Sequence, residues 1–77
     1  MKDRFDDTAI RTAIRKRLIL CRKETGLTQG EIGSIVGKST HAVGSWEQGY
    51  SLPDLETFLK LARFYGKSLE YMFGEED

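Results

Sequence analysis

Apolar residues recur along this chain at the spacing of helices rather than of strands. Between about Thr8 and Thr25 they fall at i, i+3, i+4, i+8 and i+11, which places them on one face of an α-helix. Asp7 or Thr8 is expected to cap the first turn of this helix. No stretch alternates apolar and polar residues for long enough to predict a strand. The apolar face of this first segment consists of Ile10, Ala13, Ile14, Leu18 and Cys21.

Four further helical segments follow, each starting at a polar residue that can cap it. Thr28 and Glu31 have the spacing of a capping box, in which the hydroxyl and the carboxylate each bind a backbone amide at the helix start. Ser39, Asp54 and Ser68 are the expected starts of the other three segments. The inward residues predicted for these segments are Ile32, Ile35 and Val36, then Val43 and Trp46, then Leu55, Phe58, Leu59, Ala62 and Tyr65, and finally Leu69, Met72 and Phe73.

Glycine separates the segments, because the residue after a helix often needs a positive φ. Three other glycines, Gly30, Gly33 and Gly44, lie inside predicted helices, where each is expected to cost about 0.5–1 kcal/mol relative to alanine. The pattern predicts an all-α fold of five short helices at residues 8–74, with an N-terminal arm at 1–7 and an acidic tail at 75–77. The glycines at predicted helix ends are Gly26, Gly37, Gly49, Gly66 and Gly74.

The length of 77 residues limits the chain to one small domain. The longest apolar run, at residues 18–21, has only four residues, so neither a membrane span nor a signal peptide is expected. A single cysteine cannot form an internal disulfide, which favours a reducing, cytoplasmic setting.

Charge is distributed unevenly although the formal net charge is zero, a total that by itself argues against a nucleic-acid partner. Residues 1–38 hold nine basic and five acidic residues, whereas residues 39–77 hold three and seven, a split of +4 and −4. Six basic residues and no acidic one lie between Thr8 and Lys23. Such asymmetry indicates a polyanionic partner; the alternative interpretation is a solvated helix face.

The sequence offers little support for catalysis. His41 is the single histidine and has no cysteine or second histidine at metal-ligand spacing, and Cys21 lies on an apolar face, where a thiol is inert packing. The glycine-containing segments lack the pattern of a phosphate-binding loop. We therefore expect no enzyme, metal, cofactor or small-molecule ligand.

Residues 28–48 predict two short helices joined by Gly37 and Lys38, the arrangement of a helix-turn-helix. With its flanks, this region resembles the Cro/phage-repressor-type (XRE-like) helix-turn-helix family over roughly residues 14–73. The resemblance implies a compact five-helix, lambda-repressor-like domain. The matching residues are Thr28-Gln29-x-Glu31-Ile32-Gly33-x-x-Val36-Gly37-x-Ser39, Val43-x-x-Trp46-Glu47-x-Gly49 and Leu52-Pro53-x-Leu55-x-Thr57-Phe58-x-x-Leu61-Ala62, with Gly33 standing where the family usually has alanine.

The resemblance implies a bacterial, phage or plasmid-borne transcriptional regulator, expected to be a repressor, whose recognition helix at residues 39–47 lies in the major groove of double-stranded DNA. Arg22 and Glu47 match a family pair that ties the first helix to the third. The basic face of the first helix adds Arg17, beside Arg15, as a phosphate candidate. The base-reading candidates are Thr40, His41, Gly44 and Ser45, and the other phosphate-contacting candidates are Gln29, Lys38, Ser39, Gln48, Tyr50 and Ser51.

Residues 39–47 contain no arginine, lysine, glutamine or asparagine, the side chains that make bidentate contacts with bases. Readout by one copy should therefore be modest, and a homodimer on a palindromic operator is expected. The candidate dimer surface is Tyr65, Tyr71, Met72 and Phe73, unless the last helix uses Leu69, Met72 and Phe73 to close the core. The alternative function is a protein-interaction module that keeps the fold without binding DNA.

Overall fold

The computed structural model describes residues 6–75, and these residues form five helices and no strand. The all-α, five-helix prediction is confirmed, with helix ends within about two residues of those expected. The helices are α1 (Asp7–Thr25), α2 (Gln29–Val36), α3 (Thr40–Gln48), α4 (Leu55–Tyr65) and α5 (Leu69–Met72).

Local side-chain chemistry sets the start of each helix. The capping box of α2 is present: Glu31 N donates to Thr28 Oγ1 at 3.1 Å, and Thr28 N donates to Glu31 Oε1 at 2.9 Å. Ser39, Asp54 and Ser68 cap α3, α4 and α5 as predicted. The cap of α1 was predicted one or two residues late, because Asp6 accepts the free amides of its first turn. The five glycines predicted at helix ends all have positive φ: Gly26, Gly37, Gly49, Gly66 and Gly74.

One core lies between the helices. Trp46 of α3 and Leu61 of α4 are buried in it, and Cys21 packs with its Sγ 3.9 Å from the Sδ atom of Met72. Burial raises the pKa of the Cys21 thiol, which keeps it protonated and is consistent with the packing role predicted for it. The buried core residues are Ile14, Leu18, Cys21, Ile32, Val36, Val43, Trp46, Phe58, Leu61, Ala62, Tyr71 and Met72.

Several residues predicted to face inward are exposed. The predicted face of α4 was rotated, because the side chains that enter the core are Thr57, Phe58, Leu61 and Ala62, whereas Leu55 is 82% exposed. On α2 the buried neighbour of Ile32 is Gly33 rather than Ile35, since the turn after the helix packs on that side. The other exposed members of the predicted faces are Ile10, Leu59, Leu69 and Phe73.

The two predicted terminal segments lie mostly outside the described residues. Asp6 and Asp7, which were assigned to the N-terminal arm, are the cap and the first residue of α1. Glu75 of the predicted tail donates its backbone amide to the Glu70 carbonyl at 2.9 Å. Among residues 6–75, no helix is both long enough and apolar enough to cross a membrane.

Candidate nucleic-acid interface

The turn between α2 and α3 packs directly on glycine. The Lys38 backbone amide donates to the Gly33 carbonyl at 2.7 Å, so the chain folds back over the last turns of α2. A Cβ atom placed on Gly33 would lie 2.5 Å from the Lys38 carbonyl oxygen. The expectation that alanine would be better than glycine here is therefore wrong, because the tight turn leaves no room for a methyl group. Gly33 sets the close approach of the two helices.

A charged network fixes α3 relative to α1 and α2. Arg22 donates to both carboxylate oxygens of Glu47, from Nε at 2.7 Å and from Nη2 at 2.8 Å, and its Nη1 donates to the Leu27 carbonyl at 3.0 Å. Gln29 Nε2 adds a third donor to Glu47, at 3.1 Å. Glu47 is only 8% exposed, and its carboxylate raises the pKa of Arg22 through these hydrogen bonds. The arginine–glutamate contact expected from the family resemblance is present.

Residues from α2 and α3 enclose one concave surface, which we call the reading surface. Gly44 is part of this surface, and a Cβ atom on it would be 3.4 Å from Gln29 Oε1. Tyr50 forms one edge and is 78% exposed. The structure thus brings seven of the predicted DNA-contacting residues together. The surface consists of Gln29, Thr40, His41, Gly44, Ser45, Gln48 and Tyr50.

Three more predicted residues, which lie just before or after α3 along the chain, already have partners. The Ser45 and Ser51 hydroxyl oxygens are 2.7 Å apart, and either can be the donor. Ser39 Oγ accepts from the Ala42 amide at 3.0 Å, as the cap of α3. Lys38 Nζ lies 3.3 Å from Asp54 Oδ2, which joins the turn to the start of α4. Contacts with DNA would therefore add to existing bonds or compete with them.

A sequence profile of the helix-turn-helix family matches residues 18–72. This chain belongs to that family. Within it, the chain is 31% identical over 65 residues to the HTH-type transcriptional regulator ImmR of Bacillus subtilis, covering 84% of this chain and 51% of that protein. It is also 31% identical over 68 residues to an uncharacterized HTH-type transcriptional regulator of Haemophilus influenzae, covering 88% of this chain and 69% of that one. The chain thus spans about half the length of ImmR.

A solved helix-turn-helix structure supports the same assignment. The P22 c2 repressor, crystallised in complex with the synthetic operator 9T, resembles this chain with a TM-score of 0.75 and 27% identity. The similarity covers 82% of this chain and 96% of the repressor chain. The predicted resemblance to the phage-repressor family is confirmed.

Arg17, the phosphate candidate from the basic face of the first helix, does not line the reading surface. Its guanidinium stacks 4.1 Å from the centre of the Tyr71 ring, against α5 and away from the reading surface. Arg15 packs instead beside Gly49, at the end of α3. Two residues correspond to about 200° around a helix, so neighbouring arginines of α1 face opposite sides. The phosphate contact of Arg17 stays a prediction, and it would lie away from the reading surface.

Sequence reasoning also missed Arg11 and placed Gln48 outside the recognition helix. Gln48 is the last residue of α3, so this helix does carry one amide side chain capable of bidentate base contacts. Arg11 and Arg15 lie one turn apart on α1 and border a second concavity next to Gln48. Their spacing was visible in the sequence, but the partner of that helix face was not.

The candidate dimer surface is only partly available. Met72 is 0% exposed and Tyr71 is 9% exposed, so both belong to the core of a single copy. Tyr65 packs against that core, where burial raises the pKa of its hydroxyl group. The domain buries these side chains because α5 packs against both α1 and α4. Phe73 alone of the four is clearly exposed, at 41%, and stacks on Phe58 with ring centres 5.4 Å apart.

Proposed function

We propose that this protein is a sequence-specific DNA-binding transcriptional regulator that acts as a repressor. The reading surface carries this proposal, because it combines the start of α2 and the exposed side of α3 in a fold shared with an operator-bound repressor. The named relatives are transcriptional regulators, which supports the same function. No catalytic step is part of the proposal.

In the proposed complex, α3 lies in the major groove and the start of α2 faces the phosphate backbone. Thr40, His41 and Ser45 point from the reading surface toward base edges, and Gly44 lets the helix approach closely. Gln29 uses the second hydrogen of its amide for a phosphate while the first stays bonded to Glu47. Free backbone amides and the positive dipole end of α2 favour the same anion.

The other predicted phosphate contacts lie before and after α3 along the chain. Ser39 and Lys38 lie at the turn before α3, and Tyr50 and Ser51 follow its end. Because these residues flank α3 on both sides, they fit contacts with the two backbones that border one major groove. Phosphate contacts set the orientation of α3, and the short side chains on its surface then select bases.

We further propose that the protein binds a palindromic operator as a homodimer. Few side chains of α3 can make bidentate base contacts, so two copies on two half-sites provide the specificity that one copy lacks. An apolar face on the α4 side offers the contact: Leu55 is 82% exposed beside Phe73. This apolar face is formed by Ile14, Leu52, Pro53, Leu55, Phe58 and Phe73.

Selection of bound duplexes from a random DNA pool tests the regulator proposal. We expect enrichment of two inverted half-sites, with affinity that falls linearly in log salt concentration. Ser45→Ala and His41→Ala should weaken binding to the selected duplex more than to random DNA, whereas Gln29→Ala should weaken both. Ser34→Ala, on the exposed side of α2, is the matched control. Absence of any duplex affinity would overturn the proposal and favour the interaction module.

Leu55→Lys tests the dimer contact. Leu55 is largely exposed, so the variant should fold normally but sediment as a monomer and show no preference for paired over single half-sites. Leu20→Lys, at a residue 45% exposed on α1 outside the apolar face, is the control. Unchanged sedimentation and unchanged preference in Leu55→Lys would place the dimer contact elsewhere.

A further inference from the structure

A basic groove continues the reading surface along the first half of α1. Thr8, Arg11, Thr12 and Arg15 stand at i, i+3, i+4 and i+7, so they share one face of that helix. This face meets the end of α3 and forms one side of a concavity whose other side is Gln48 and Gly49. We call these six residues the arginine groove.

Gln48 joins the arginine groove to the reading surface, because it lines both. Arg15 is held at this junction: a Cβ atom on Gly49 would lie 3.3 Å from Arg15 Cδ. Gly49 has a φ of 85°, which requires glycine and also leaves space for the arginine stem. The guanidinium of Arg15 is thereby positioned next to the residue that ends the recognition helix.

The charges of this groove are not neutralised within the described part of the chain. Neither Arg11 nor Arg15 forms an ion pair there, unlike Arg22, Lys38 and Lys67. The Asp6 carboxylate is directed at the amides of Thr8 and Ala9 rather than at the groove. Asp7 stands one turn before Arg11 and is the acidic residue nearest to the groove along the helix. Among the described residues, neither guanidinium group of the groove is paired with a carboxylate, so both are available to an anion.

We propose that the arginine groove binds the DNA phosphate backbone just outside the base pairs contacted by α3. The proposal rests on the proposed regulator function, since the groove shares a surface with the reading residues. Arginine guanidinium groups and threonine hydroxyl groups are common phosphate donors, and their location beside the last turn of α3 suits the backbone at the edge of the major groove. The groove residues of α1 precede the matched family region at 18–72, so this contact would be an addition carried by the first half of α1.

The double variant Arg11→Gln/Arg15→Gln tests the groove, with Lys60→Gln/Arg63→Gln as a control that removes the same charge from the exposed side of α4. The probes are the duplex selected by the wild-type protein and a random duplex of equal length. We expect the groove variant to weaken binding to both duplexes by similar factors. The slope of log affinity against log salt should fall by about 1 for each phosphate that the variant no longer neutralises.

Duplexes with trimmed flanks locate the contact. Removing base pairs outside the selected half-sites should weaken the wild-type protein and the α4 control but leave the groove variant unaffected. A thermal melt of each variant checks folding, and Arg11→Gln alone, at an exposed residue, replaces the double variant if Arg15 proves necessary for the fold.

The outcomes separate the two proposals. If the wild-type protein selects a duplex and the groove variant keeps its affinity and salt slope, the groove proposal is overturned and the regulator proposal stands. The same holds if binding weakens on the selected duplex only, because a phosphate contact acts on both duplexes. If the wild-type protein binds no duplex, both proposals are overturned.

Discussion

The unit formed by α2 and α3 is stabilised differently from the unit formed by α4 and α5. In the first, directed polar bonds meet at Glu47, and Gly33 holds the turn in one close arrangement. In the second, the contacts are mostly apolar, and Leu55, Leu59, Phe64, Leu69 and Phe73 each remain at least 37% exposed. Only Ile35 is comparably exposed among the large apolar residues of α2 and α3.

This difference suits the role that we propose for each unit. Directed bonds fix angles, and a surface that reads bases needs its side chains at fixed angles. Apolar burial is insensitive to direction, so it can complete a core and still leave apolar area for a second copy. A substitution in the first unit should therefore be able to change the free energy of unfolding without a matching change in DNA affinity, or the reverse. Which of the two changes depends on the contact that is removed.

Glu47→Ala should have the largest effect. It leaves Arg22, whose side chain is 17% exposed, without its carboxylate and removes the acceptor of Gln29. Loss of one partner of such a buried pair should lower the free energy of unfolding by about 3 kcal/mol. Urea denaturation measures this, with exposed Glu56→Ala on α4 as the control. Equal effects of the two substitutions would show that the polar network is not what holds the first unit.

Gly33→Ala should rank second. The added methyl group meets the Lys38 carbonyl at 2.5 Å, so the turn must shift. Overpacking of this kind outweighs the helix propensity of alanine, for a net loss of about 1–2 kcal/mol. Thermal unfolding at several urea concentrations provides the measurement. A rise in stability would mean that the turn is loose enough to accept the residue usual in the family.

Gly44→Ala makes the same change at another glycine inside a helix. It should raise the stability, whereas Gly33→Ala lowers it. A Cβ atom there has space, at 3.4 Å from Gln29 Oε1, so alanine should stabilise α3 by about 0.5–1 kcal/mol. The same methyl group occupies the reading surface and should weaken binding to the selected duplex. Unfolding and fluorescence-anisotropy titrations on one sample compare the two effects. Tighter binding in step with higher stability would remove Gly44 from the reading surface.

Asp54→Asn should have the smallest effect, at the junction between the two units. In the folded protein the pKa of Asp54 is lowered below its ordinary 3.8. The main cause is the hydrogen bond from the Thr57 backbone amide, and Lys38 makes a smaller contribution. The charged Asp54 carboxylate therefore stabilises the folded state in full at pH values above the ordinary pKa. This stabilisation is lost as the pH falls through the lowered pKa of the folded state. The difference in unfolding free energy between wild type and variant should shrink from pH 7 toward pH 3. A difference that stays constant over this range would argue against the charge of Asp54 as its source.

Caps, turns and the helix-turn-helix motif were predictable because they depend on residues close together in sequence. Thr28, Glu31 and Gly37 specify their own geometry with partners at most a few positions away. The pairing of Arg22 with Glu47 is a long-range contact, and it was expected only through the family resemblance. The clustering of seven predicted residues on the reading surface follows from the same motif.

The faces of the helices were less predictable, because periodicity does not say which neighbour a face meets. Leu55 fits the apolar stripe of α4, yet Thr57 and Leu61 enter the core in its place. Arg17 and Arg15 look equivalent in a basic run, yet the first contacts Tyr71 and the second lies beside Gly49. Met72 was predicted both as an inward residue of the last helix and as a candidate for the dimer surface, because the depth of the core between α1, α4 and α5 depends on tertiary packing.

The hydroxyl pair of Ser45 and Ser51 has a consequence for the operator itself. When Ser51 donates, the Ser45 hydrogen can bond to an acceptor such as thymine O4 or guanine O6. When Ser45 donates to Ser51, its remaining lone pair can accept from the amino group of adenine or cytosine. In the proposed complex, the Ser45 hydroxyl can therefore either donate to a base or accept from one. In the proposed complex the bond to Ser51 sets which of these two roles Ser45 takes, so Ser51→Ala should change the base preference at the operator position that faces Ser45.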